Sequence, residues 1–223
     1  MTIAAIFDLD NTLVVGSTGS SVVRYLWQRG LLTRYVPPFH IAKLLLAAGG
    51  YRFGWVDITR FMQYTTDAIK GIPLAETWAL VDEWFAAEVQ NNIAPGARKR
   101  LQWHREQGHR IVICTASGQF SCLPVARHLK VPETDVIYTK WHEAGGRMAG
   151  TVQLPINYGA GKVYWLRLWA ERHDVDLTAS YFYSDHESDL PLFDLVAHPT
   201  AVNPYAMLEK IAVARGWPVE RWY

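Results

Sequence analysis

Short runs of apolar residues recur along the chain, and each of them gives way to polar residues at its end. A strand buried on both faces of a parallel sheet has this pattern, because neither of its faces meets water. The pattern predicts strands at Ile3 to Leu9, Arg110 to Cys114, Val136 to Thr139, Tyr181 to Ser184, and Leu195 to Val202.

Helix-like segments separate these predicted strands. Two of them follow a proline near a helix start, and apolar residues recur at helical spacing in the segment after position 161. The segments are Ala97 to Gln107, Phe120 to Leu129, Lys162 to His173, and Tyr205 to Arg215. Strands that alternate with helices predict a doubly wound α/β core with a Rossmann-like parallel sheet.

One connection is too long for a single crossover helix. The first strand ends near Asp10 and the next begins at Arg110, whereas a strand-helix-strand step takes about 30 residues. The sequence between them is helix-like at Ser20 to Arg29, Pro38 to Ala48, Trp55 to Ala68, and Pro73 to Gln90. We therefore predict an α/β core of residues 1–15 and 92–223 with an all-helical insert of residues 16–91. A small hairpin is predicted from Glu143 to Val152, around Gly145-Gly146.

Composition and charge exclude several classes of protein. Half of the residues are apolar and 19% are charged, which indicates a folded globular chain. The 22 Lys and Arg against 21 Asp and Glu give a net charge of +1, so no global field draws the chain to nucleic acid. Cys114 and Cys122 form no CxxC motif, and the first residues lack the features of a signal peptide. We expect reduced thiols in a cytoplasmic protein.

The most lipid-like segment is Ile41 to Ala48. It contains Lys43 and is much shorter than the roughly 20 residues of a spanning helix. The sequence therefore predicts no transmembrane segment and leaves contact with a membrane surface open. It does not specify an oligomeric state.

Polar residues follow three of the predicted strands at their carboxyl ends, where open α/β sheets bind ligands. Carboxylates from two strands are ligands that Mg²⁺ prefers, and small hydroxyl residues with free amides hold phosphoryl oxygens. A lysine after Gly159-Ala160-Gly161 adds a positive charge for the anion. The candidates are Asp8, Asp10, Thr12, Thr115, Ser117, Gly118, Lys162, Asp185, Ser188 and Asp189.

Two other phosphate or metal motifs do not fit these residues. A calcium loop that starts at Asp8 requires glycine and glutamate where Leu13 and Gly19 stand. A Walker loop around Lys162 requires glycine and a hydroxyl residue where Ile156 and Val163 stand. The site is therefore predicted to be a magnesium and phosphate site of another kind.

At these positions the sequence resembles the haloacid dehalogenase superfamily, in particular the phosphatase branch near phosphoserine phosphatases, subclass IB. The four signature elements occur in order, and the helical insert falls where that branch carries its cap. The elements are Asp8 with Asp10 and Thr12, then Thr115, then Lys162, and then Asp185 with Asp189. The resemblance extends from Ile3 to about Pro204.

The resemblance implies covalent catalysis. Asp8 would attack phosphorus and form an aspartyl-phosphate, while Asp10 would act as general acid and then as general base. Thr115 and Lys162 would bind the phosphoryl group, and Thr12 would hold the loop. Ser117, Gly118 and Ser188 are further candidate contacts for phosphate or substrate. Mg²⁺ would be held by Asp8, the backbone carbonyl of Asp10, and Asp185, with Asp189 supporting its shell.

We therefore expect a Mg²⁺-dependent phosphomonoesterase that acts on a small phosphorylated metabolite, such as phosphoserine or histidinol phosphate. Phosphoserine phosphatases place a glutamate shortly after the first motif, whereas residues 14–21 contain no acid. The alternatives are a phospholipid-headgroup phosphatase of the phosphatidylglycerophosphate type, a phosphotransferase or mutase, and a catalytically silent protein that binds a phosphorylated ligand. Candidate pocket residues of the insert are Arg24, Trp27, Tyr51, Arg52, Trp55, Arg60, Phe61 and Trp78.

Overall fold

Six parallel strands form the central sheet of the computed structural model, which describes residues 1–52 and 55–223. The strands of the chain are β1 (Ala4–Phe7), β2 (Arg110–Gly118), β3 (Val136–Thr139), β4 (Trp141–Ala144), β5 (Arg147–Val152), β6 (Tyr181–Ser184), β7 (His198–Val202) and β8 (Val219–Glu220). The sheet order is β3-β2-β1-β6-β7-β8, and β4 and β5 form a separate antiparallel pair. The predicted α/β class with a Rossmann-like parallel sheet is confirmed.

Helices occupy most of the remaining sequence. They are α1 (Thr18–Gln28), α2 (Leu32–Tyr35), α3 (Pro38–Arg52), α4 (Ile58–Ala68), α5 (Leu74–Trp84), α6 (Pro95–Glu106), α7 (Gln119–His128), α8 (Ala160–Arg172), α9 (Leu190–Phe193) and α10 (Ala206–Arg215). Helices α1 to α5 all lie between β1 and β2 in the sequence. Among the described residues, none of these helices is both long and apolar enough to cross a membrane.

Strand β1 lies at the centre of the sheet, between β2 and β6. All four of its side chains are fully buried, because both faces of the sheet are covered. Phe7 belongs to an apolar cluster with Leu101 of α6, and Ile6 belongs to a second cluster with Leu166 of α8. Since the strand order reverses at β1, the residues that follow β1 lie at the topological switch point of the sheet.

Several predicted boundaries differ from the observed ones for local reasons. Helix α4 begins at Ile58 rather than at position 55, because the Asp57 carboxylate accepts a hydrogen bond from the Arg60 amide at 2.9 Å and caps the helix. Helix α5 ends at Trp84, and the chain continues as a π-helical turn over residues 85–89. The last predicted strand begins at His198 rather than at Leu195, since residues 194–197 form a turn and a bend that follow α9.

The two chain segments that connect β1 and β2 to the intervening helices lie side by side. Val14 forms an isolated bridge with Ile93, and the Ala94 amide donates to the Leu13 carbonyl at 2.9 Å. The Val15 amide donates to the Asn92 carbonyl at 2.8 Å. The division into a core and an insert of residues 16–91 stays a prediction, and these contacts lie at its proposed boundaries.

The β4–β5 hairpin is hydrogen-bonded to the segment between α4 and α5. The Gly71 amide donates to the Met148 carbonyl at 2.8 Å, and the Met148 amide donates to the Ile72 carbonyl at 2.9 Å. The Leu74 amide donates to the Gly146 carbonyl at 2.9 Å. The hairpin is therefore joined to the helices that precede β2 by main-chain hydrogen bonds.

Candidate active site

A tight loop follows β1 and places two carboxylates at the carboxyl end of the sheet. The Asp8 amide donates to the Tyr183 carbonyl of β6 at 2.9 Å, which continues the sheet pairing by one residue. The chain then turns, with the Asn11 amide donating to the Gly16 carbonyl at 3.0 Å. Asn11 has a φ of 53° and Gly16 has a φ of 80°, the left-handed region in which asparagine and glycine are least strained.

Lys162 joins two carboxylates inside the protein. Its ammonium group donates to Asp8 Oδ1 and to Asp189 Oδ2, both at 2.7 Å, and its side chain is 3% exposed. Burial by itself would lower the pKa of Lys162, but the charges of Asp189 and Asp8 outweigh it and raise this pKa above its usual value. Lys162 is therefore a permanent cation beside Asp8.

The glycines before Lys162 fix the start of α8. Gly159 has a φ of 53° and a ψ of −122°, which only glycine adopts readily. A Cβ on Gly161 would lie 1.9 Å from the Ile156 carbonyl oxygen, so no other residue fits there. These two constraints place Lys162 in the first turn of α8, with its side chain directed to the end of β1.

Asp10 is held by two donors from different parts of the chain. The Thr18 amide, at the start of α1, donates to Asp10 Oδ1 at 2.6 Å, and the Ser117 hydroxyl, at the end of β2, donates to Asp10 Oδ2 at 2.9 Å. Asp10 therefore has hydrogen-bond donors that differ from those of Asp8 and Asp189. Two neighbouring carboxylates in such different surroundings are suited to different roles in one reaction.

The end of β2 brings the remaining phosphate-binding candidates to the same place. Thr115 is 1% exposed, and its hydroxyl accepts a hydrogen bond from the Ser117 amide at 3.1 Å. A Cβ on Gly118 would lie 2.7 Å from the Trp141 indole, so the ring packs directly on this glycine. Gln119 fixes Trp141 through two hydrogen bonds to its main chain, at 2.8 and 2.9 Å.

The carboxylates after β6 are both buried. Asp185 is 4% exposed and Asp189 is 2% exposed. Burial raises the pKa of Asp185 to about 6, although a hydrogen bond from Asn11 opposes the change. The Ser184 hydroxyl donates to Asp189 Oδ2 at 2.7 Å, whereas Asp189 Oδ1 is buried and has no hydrogen-bond partner within the described residues.

Three carboxylates of this region are buried, and two of them, Asp8 and Asp189, contact the buried ammonium group of Lys162. Burial raises the pKa of Asp8 to about 8, and the charges of Asp189 and Asp185 add to this effect while Lys162 opposes it. In the described part of the chain, no group of three or more His, Cys, Asp or Glu side chains could hold a metal alone. The excess negative charge and the oxygen donors nevertheless fit Mg²⁺, which takes one or two carboxylates together with water and phosphate oxygens.

Two further predicted site residues, Thr12 and Ser188, differ in burial and in hydrogen bonding, and Ser188 is only partly buried. Thr12 is fully buried, and its hydroxyl has no hydrogen-bond partner among the described residues. The Ser188 hydroxyl lies 3.0 Å from His186 Nδ1, which also accepts from the Ser188 amide at 3.1 Å. The side chains of the pocket candidates Tyr51 and Arg52 lie outside the described part of the structure.

Asn157 is a site residue that the sequence pattern does not reveal. It is fully buried, and its side-chain amide donates to the Thr115 carbonyl at 2.7 Å and to the Ile137 carbonyl at 2.9 Å. Its main-chain amide donates to the Thr139 hydroxyl at 3.0 Å. Asn157 thus joins the ends of β2 and β3 to the segment before Lys162 and fixes the main chain at Thr115.

We expect Asn157→Ala to lower both stability and turnover. The variant leaves the buried carbonyls of Thr115 and Ile137 without their donor, which costs about 1–3 kcal/mol of unfolding free energy. The displaced Thr115 should reduce kcat/KM about tenfold. Urea denaturation and steady-state kinetics measure the two effects. Asn92→Ala is the control, since Asn92 is exposed and its side chain donates to the Glu88 carbonyl of its own helical segment. An unchanged kcat/KM in Asn157→Ala would contradict the prediction that the hydrogen bond from Asn157 positions Thr115 for turnover.

Several known proteins are similar to this chain in sequence. The model of the family described as haloacid dehalogenase-like hydrolase matches residues 5–194. A histidinol-phosphatase of Neisseria meningitidis is 32% identical over 219 residues, which cover 96% of each chain. The phosphoserine phosphatase SerB1 of Mycobacterium tuberculosis is 31% identical, over 98% of this chain and 70% of that protein.

Solved structures share the fold. A Bordetella pertussis protein of unknown function superimposes with a TM-score of 0.90 at 26% identity, over 100% of both chains. A phosphoserine phosphatase in the form of a phospho-aspartyl intermediate analogue has a TM-score of 0.68 at 13% identity, over 100% of this chain and 94% of that one. At 13% identity this second likeness shows the fold alone.

Proposed function

The chain belongs to the haloacid dehalogenase-like hydrolase family and is a hydrolase of phosphate monoesters; we propose that it cleaves a small phosphorylated metabolite with Mg²⁺, through an aspartyl-phosphate on Asp8. The observation that carries this proposal is that two carboxylates of one loop have different hydrogen-bond partners. Asp8 is paired with Lys162 at 2.7 Å, while Asp10 is held by Thr18 and Ser117. One carboxylate thus lies beside a cation, and the other has two hydrogen-bond donors of its own.

In the first step, an oxygen of Asp8 attacks phosphorus and the bond from phosphorus to the leaving oxygen breaks. Asp10 donates its proton to that oxygen, so that the alcohol part of the substrate leaves while the phosphoryl group stays on Asp8. In the second step, Asp10 takes a proton from water, which attacks the same phosphorus and releases phosphate from Asp8. Asp10 is protonated again at the end, and both carboxyl groups return to their starting state.

The neighbouring residues would stabilise the phosphoryl group during both steps. Lys162 faces Asp8 and would offset the negative charge on the phosphoryl oxygens. Thr115 and the main-chain amides around Ser117 and Gly118 would bind the same oxygens at the start of α7. We assign Ser188 to the edge of this phosphate site, where its hydroxyl would have to leave His186 to reach a ligand.

Mg²⁺ would be held by Asp8, the main-chain carbonyl of Asp10, and Asp185. When bound, it supplies positive charge that favours the ionised carboxylates and the phosphoryl oxygens. Asp189 would act mainly on Lys162, since its Oδ2 accepts from that ammonium group and from Ser184. Its Oδ1, which has no partner in the part of the chain that the structure describes, would support the metal shell through water.

The substrate is proposed from the relatives and from the insert. Histidinol phosphate and phosphoserine are the first candidates, because they are the substrates implied by the names of two relatives. Residues 14–21 offer no acid for a substrate ammonium group, and α1 begins there with the Thr18 amide on Asp10. Both candidates carry an amino group, so this absence does not rank them, and an acid that binds the amino group would have to lie elsewhere in the chain. The helices of residues 16–91 would close over the substrate and exclude water.

The experiment is a turnover assay on the full chain. Hydrolysis of p-nitrophenyl phosphate should require Mg²⁺, stop on addition of a chelator, and return when Mg²⁺ is restored. A panel that includes histidinol phosphate and phosphoserine then ranks substrates by kcat/KM. No turnover of any panel member with Mg²⁺ present would refute the phosphatase proposal and favour a protein that only binds its ligand. Equal turnover with and without the chelator would refute the metal requirement alone.

A further inference from the structure

Asn11 directly follows Asp10 and has an unusual main-chain conformation. Its φ of 53° lies in the left-handed region, which costs a residue with a side chain some strain. Such a conformation persists only where the surrounding structure holds it. The peptide that joins the two residues is planar and carries the Asp10 carbonyl. A change of the backbone at Asn11 would therefore turn that carbonyl.

Three residues that follow β7 in the sequence hold Asn11. Its carbonyl accepts a hydrogen bond from Asn203 Nδ2 at 2.8 Å. Its side-chain Oδ1 accepts from the Tyr223 hydroxyl at 3.3 Å, and its Nδ2 donates to the Tyr205 hydroxyl at 3.4 Å. The Asn11 side chain also donates to the Asp185 carboxylate. Asn11 thus joins the loop after β1 to the carboxyl ends of β6 and β7, and its shortest bond to these three residues is the one from Asn203.

The side chain of Asn203 can form its two bonds in one orientation only. The Trp222 amide donates to Asn203 Oδ1 at 2.8 Å, and a main-chain amide can donate but not accept. The Asn11 carbonyl can accept but not donate, so Nδ2 has to face it. The main-chain amide of Asn203 donates to the Glu220 carbonyl at 2.8 Å. Asn203 is therefore a bridge between Asn11 and residues 220–222.

Trp222 anchors this bridge to the core. Trp222 is 6% exposed, and its ring centre lies 5.5 Å from that of Tyr183 and 6.3 Å from that of Phe7. A Cβ on Gly96 would overlap the Trp222 ring, so the ring packs directly on the start of α6. The Gly96 amide also donates to the Trp222 carbonyl at 3.1 Å. A continuous set of contacts therefore extends from the core through Trp222 and Asn203 to the loop after β1.

We propose that Asn203 is a positioning residue of the reaction, because its side-chain amide holds Asn11 in the left-handed conformation and thereby fixes the direction of the Asp10 carbonyl. This inference rests on the proposed function, in which that carbonyl and Asp185 hold Mg²⁺. Asn203 itself would contact neither substrate nor metal, since both ends of its side chain are occupied. Loss of a residue that orients a metal ligand typically weakens metal binding or activity by about 10- to 100-fold.

The first experiment compares the full-length wild type with Asn203→Gly. Glycine is the replacement because Asn203 has a φ of 43°, which alanine would adopt with strain. The midpoint of thermal unfolding, measured at increasing Mg²⁺ concentrations, reports metal binding without turnover. We expect the variant to need at least about tenfold more Mg²⁺ for the same rise in midpoint. The Mg²⁺ concentration that gives half-maximal turnover of p-nitrophenyl phosphate should increase in parallel.

Val175→Ala is the control for a general loss of stability. Val175 is buried in the apolar cluster of Leu166, and it forms a bridge with Thr2 at the amino end of β1, opposite to Asp10. This variant should unfold at a lower temperature but show the wild-type response to Mg²⁺. An equal change of the Mg²⁺ response in Val175→Ala and Asn203→Gly would overturn the inference, because loss of stability alone would then explain it.

Asn203→Asp separates the two bonds of the bridge. Its carboxylate still accepts from the Trp222 amide but offers no donor to the Asn11 carbonyl. The variant should therefore keep more of the unfolding free energy than Asn203→Gly does. Its kcat/KM for p-nitrophenyl phosphate, at a Mg²⁺ concentration that saturates the wild type, should nevertheless fall by at least about tenfold. A kcat/KM that followed the unfolding free energy in the two variants would indicate a merely structural role and overturn the inference.

Failure of this inference is distinguishable from failure of the proposed function. A wild type that requires Mg²⁺ for turnover, with both Asn203 variants within about twofold of it, would overturn the inference and leave the proposed function intact. A wild type that hydrolyses no phosphate ester and whose unfolding midpoint does not respond to Mg²⁺ would refute the proposed function, and the inference with it.

Discussion

Asp8→Asn should abolish turnover of p-nitrophenyl phosphate while the protein stays folded. The amide cannot attack phosphorus, so kcat should fall by at least about a thousandfold. The side-chain oxygen of the substituted residue can still accept from Lys162, and the loss of one buried negative charge relieves repulsion from Asp185 and Asp189. The unfolding free energy should therefore change by about 1 kcal/mol or less.

Steady-state kinetics and urea denaturation test this expectation on the same preparation. Asp194→Asn is the matched control, because Asp194 is an exposed carboxylate whose partner is Arg215 on the surface. That control should keep wild-type kcat. Activity in Asp8→Asn above about a tenth of wild type would reject Asp8 as the nucleophile.

The same substrate tests the covalent intermediate. Nitrophenolate is a good leaving group that needs little help from an acid, whereas attack by water on the aspartyl-phosphate needs a base. Asp10→Asn should therefore release one equivalent of nitrophenolate rapidly and then stall as a phosphorylated protein, which intact-mass spectrometry detects. A slow linear release without phosphorylated protein would argue against the two-step mechanism.

Lys162→Met should reduce both stability and activity. The change removes the only buried cation that contacts Asp8 and Asp189 within the described residues, at 2.7 Å from each. Removing one partner of a buried charge pair costs about 3–5 kcal/mol of unfolding free energy, because the remaining charges stay buried without compensation. Loss of the charge that faces the phosphoryl group should lower kcat/KM by at least about a hundredfold.

A double variant separates the two effects. Adding Asp189→Asn to Lys162→Met removes the buried carboxylate that the single variant leaves without its cation. The double variant should therefore recover part of the lost unfolding free energy but none of the lost activity. Urea denaturation and kinetics of both variants make the comparison, with Lys99→Met as the control because Lys99 is exposed on α6. A double variant no more stable than Lys162→Met alone would show that Asp189 is not the group that the lysine neutralises.

The sequence predicts those parts of the site in which a residue follows directly from a strand end. Asp8 and Asp185 continue β1 and β6, so a buried run followed by a carboxylate was enough to place them together. Lys162 is similar, because the glycines before it mark the start of α8. These predictions rest on local spacing and on the rule that parallel strands end at one edge of the sheet. The catalytic roles themselves stay predictions.

Contacts between distant segments could not be predicted in this way. The bonds of Asn157 reach residues 18 to 42 positions away, and nothing near Asn157 in the sequence marks a residue with three such partners. The Ser184 hydroxyl on Asp189 and the Trp141 ring on Gly118 depend on how loops pack. Strand β8 has only two residues at the sheet edge, too few for an apolar pattern.

The main-chain hydrogen bonds between the β4–β5 hairpin and residues 71–74 determine which segments of this protein could be exchanged with those of a relative. A chimaera that replaced residues 16–91 alone would leave the Met148 and Gly146 main-chain groups facing a foreign segment. A poor fit at these groups would displace Trp141 on the neighbouring strand β4. Trp141 packs on Gly118, so the main chain beside Ser117 would shift as well. The unit to transplant is therefore discontinuous: residues 16–91 together with residues 140–152. Substrate preference should move with that combined unit rather than with the helices by themselves.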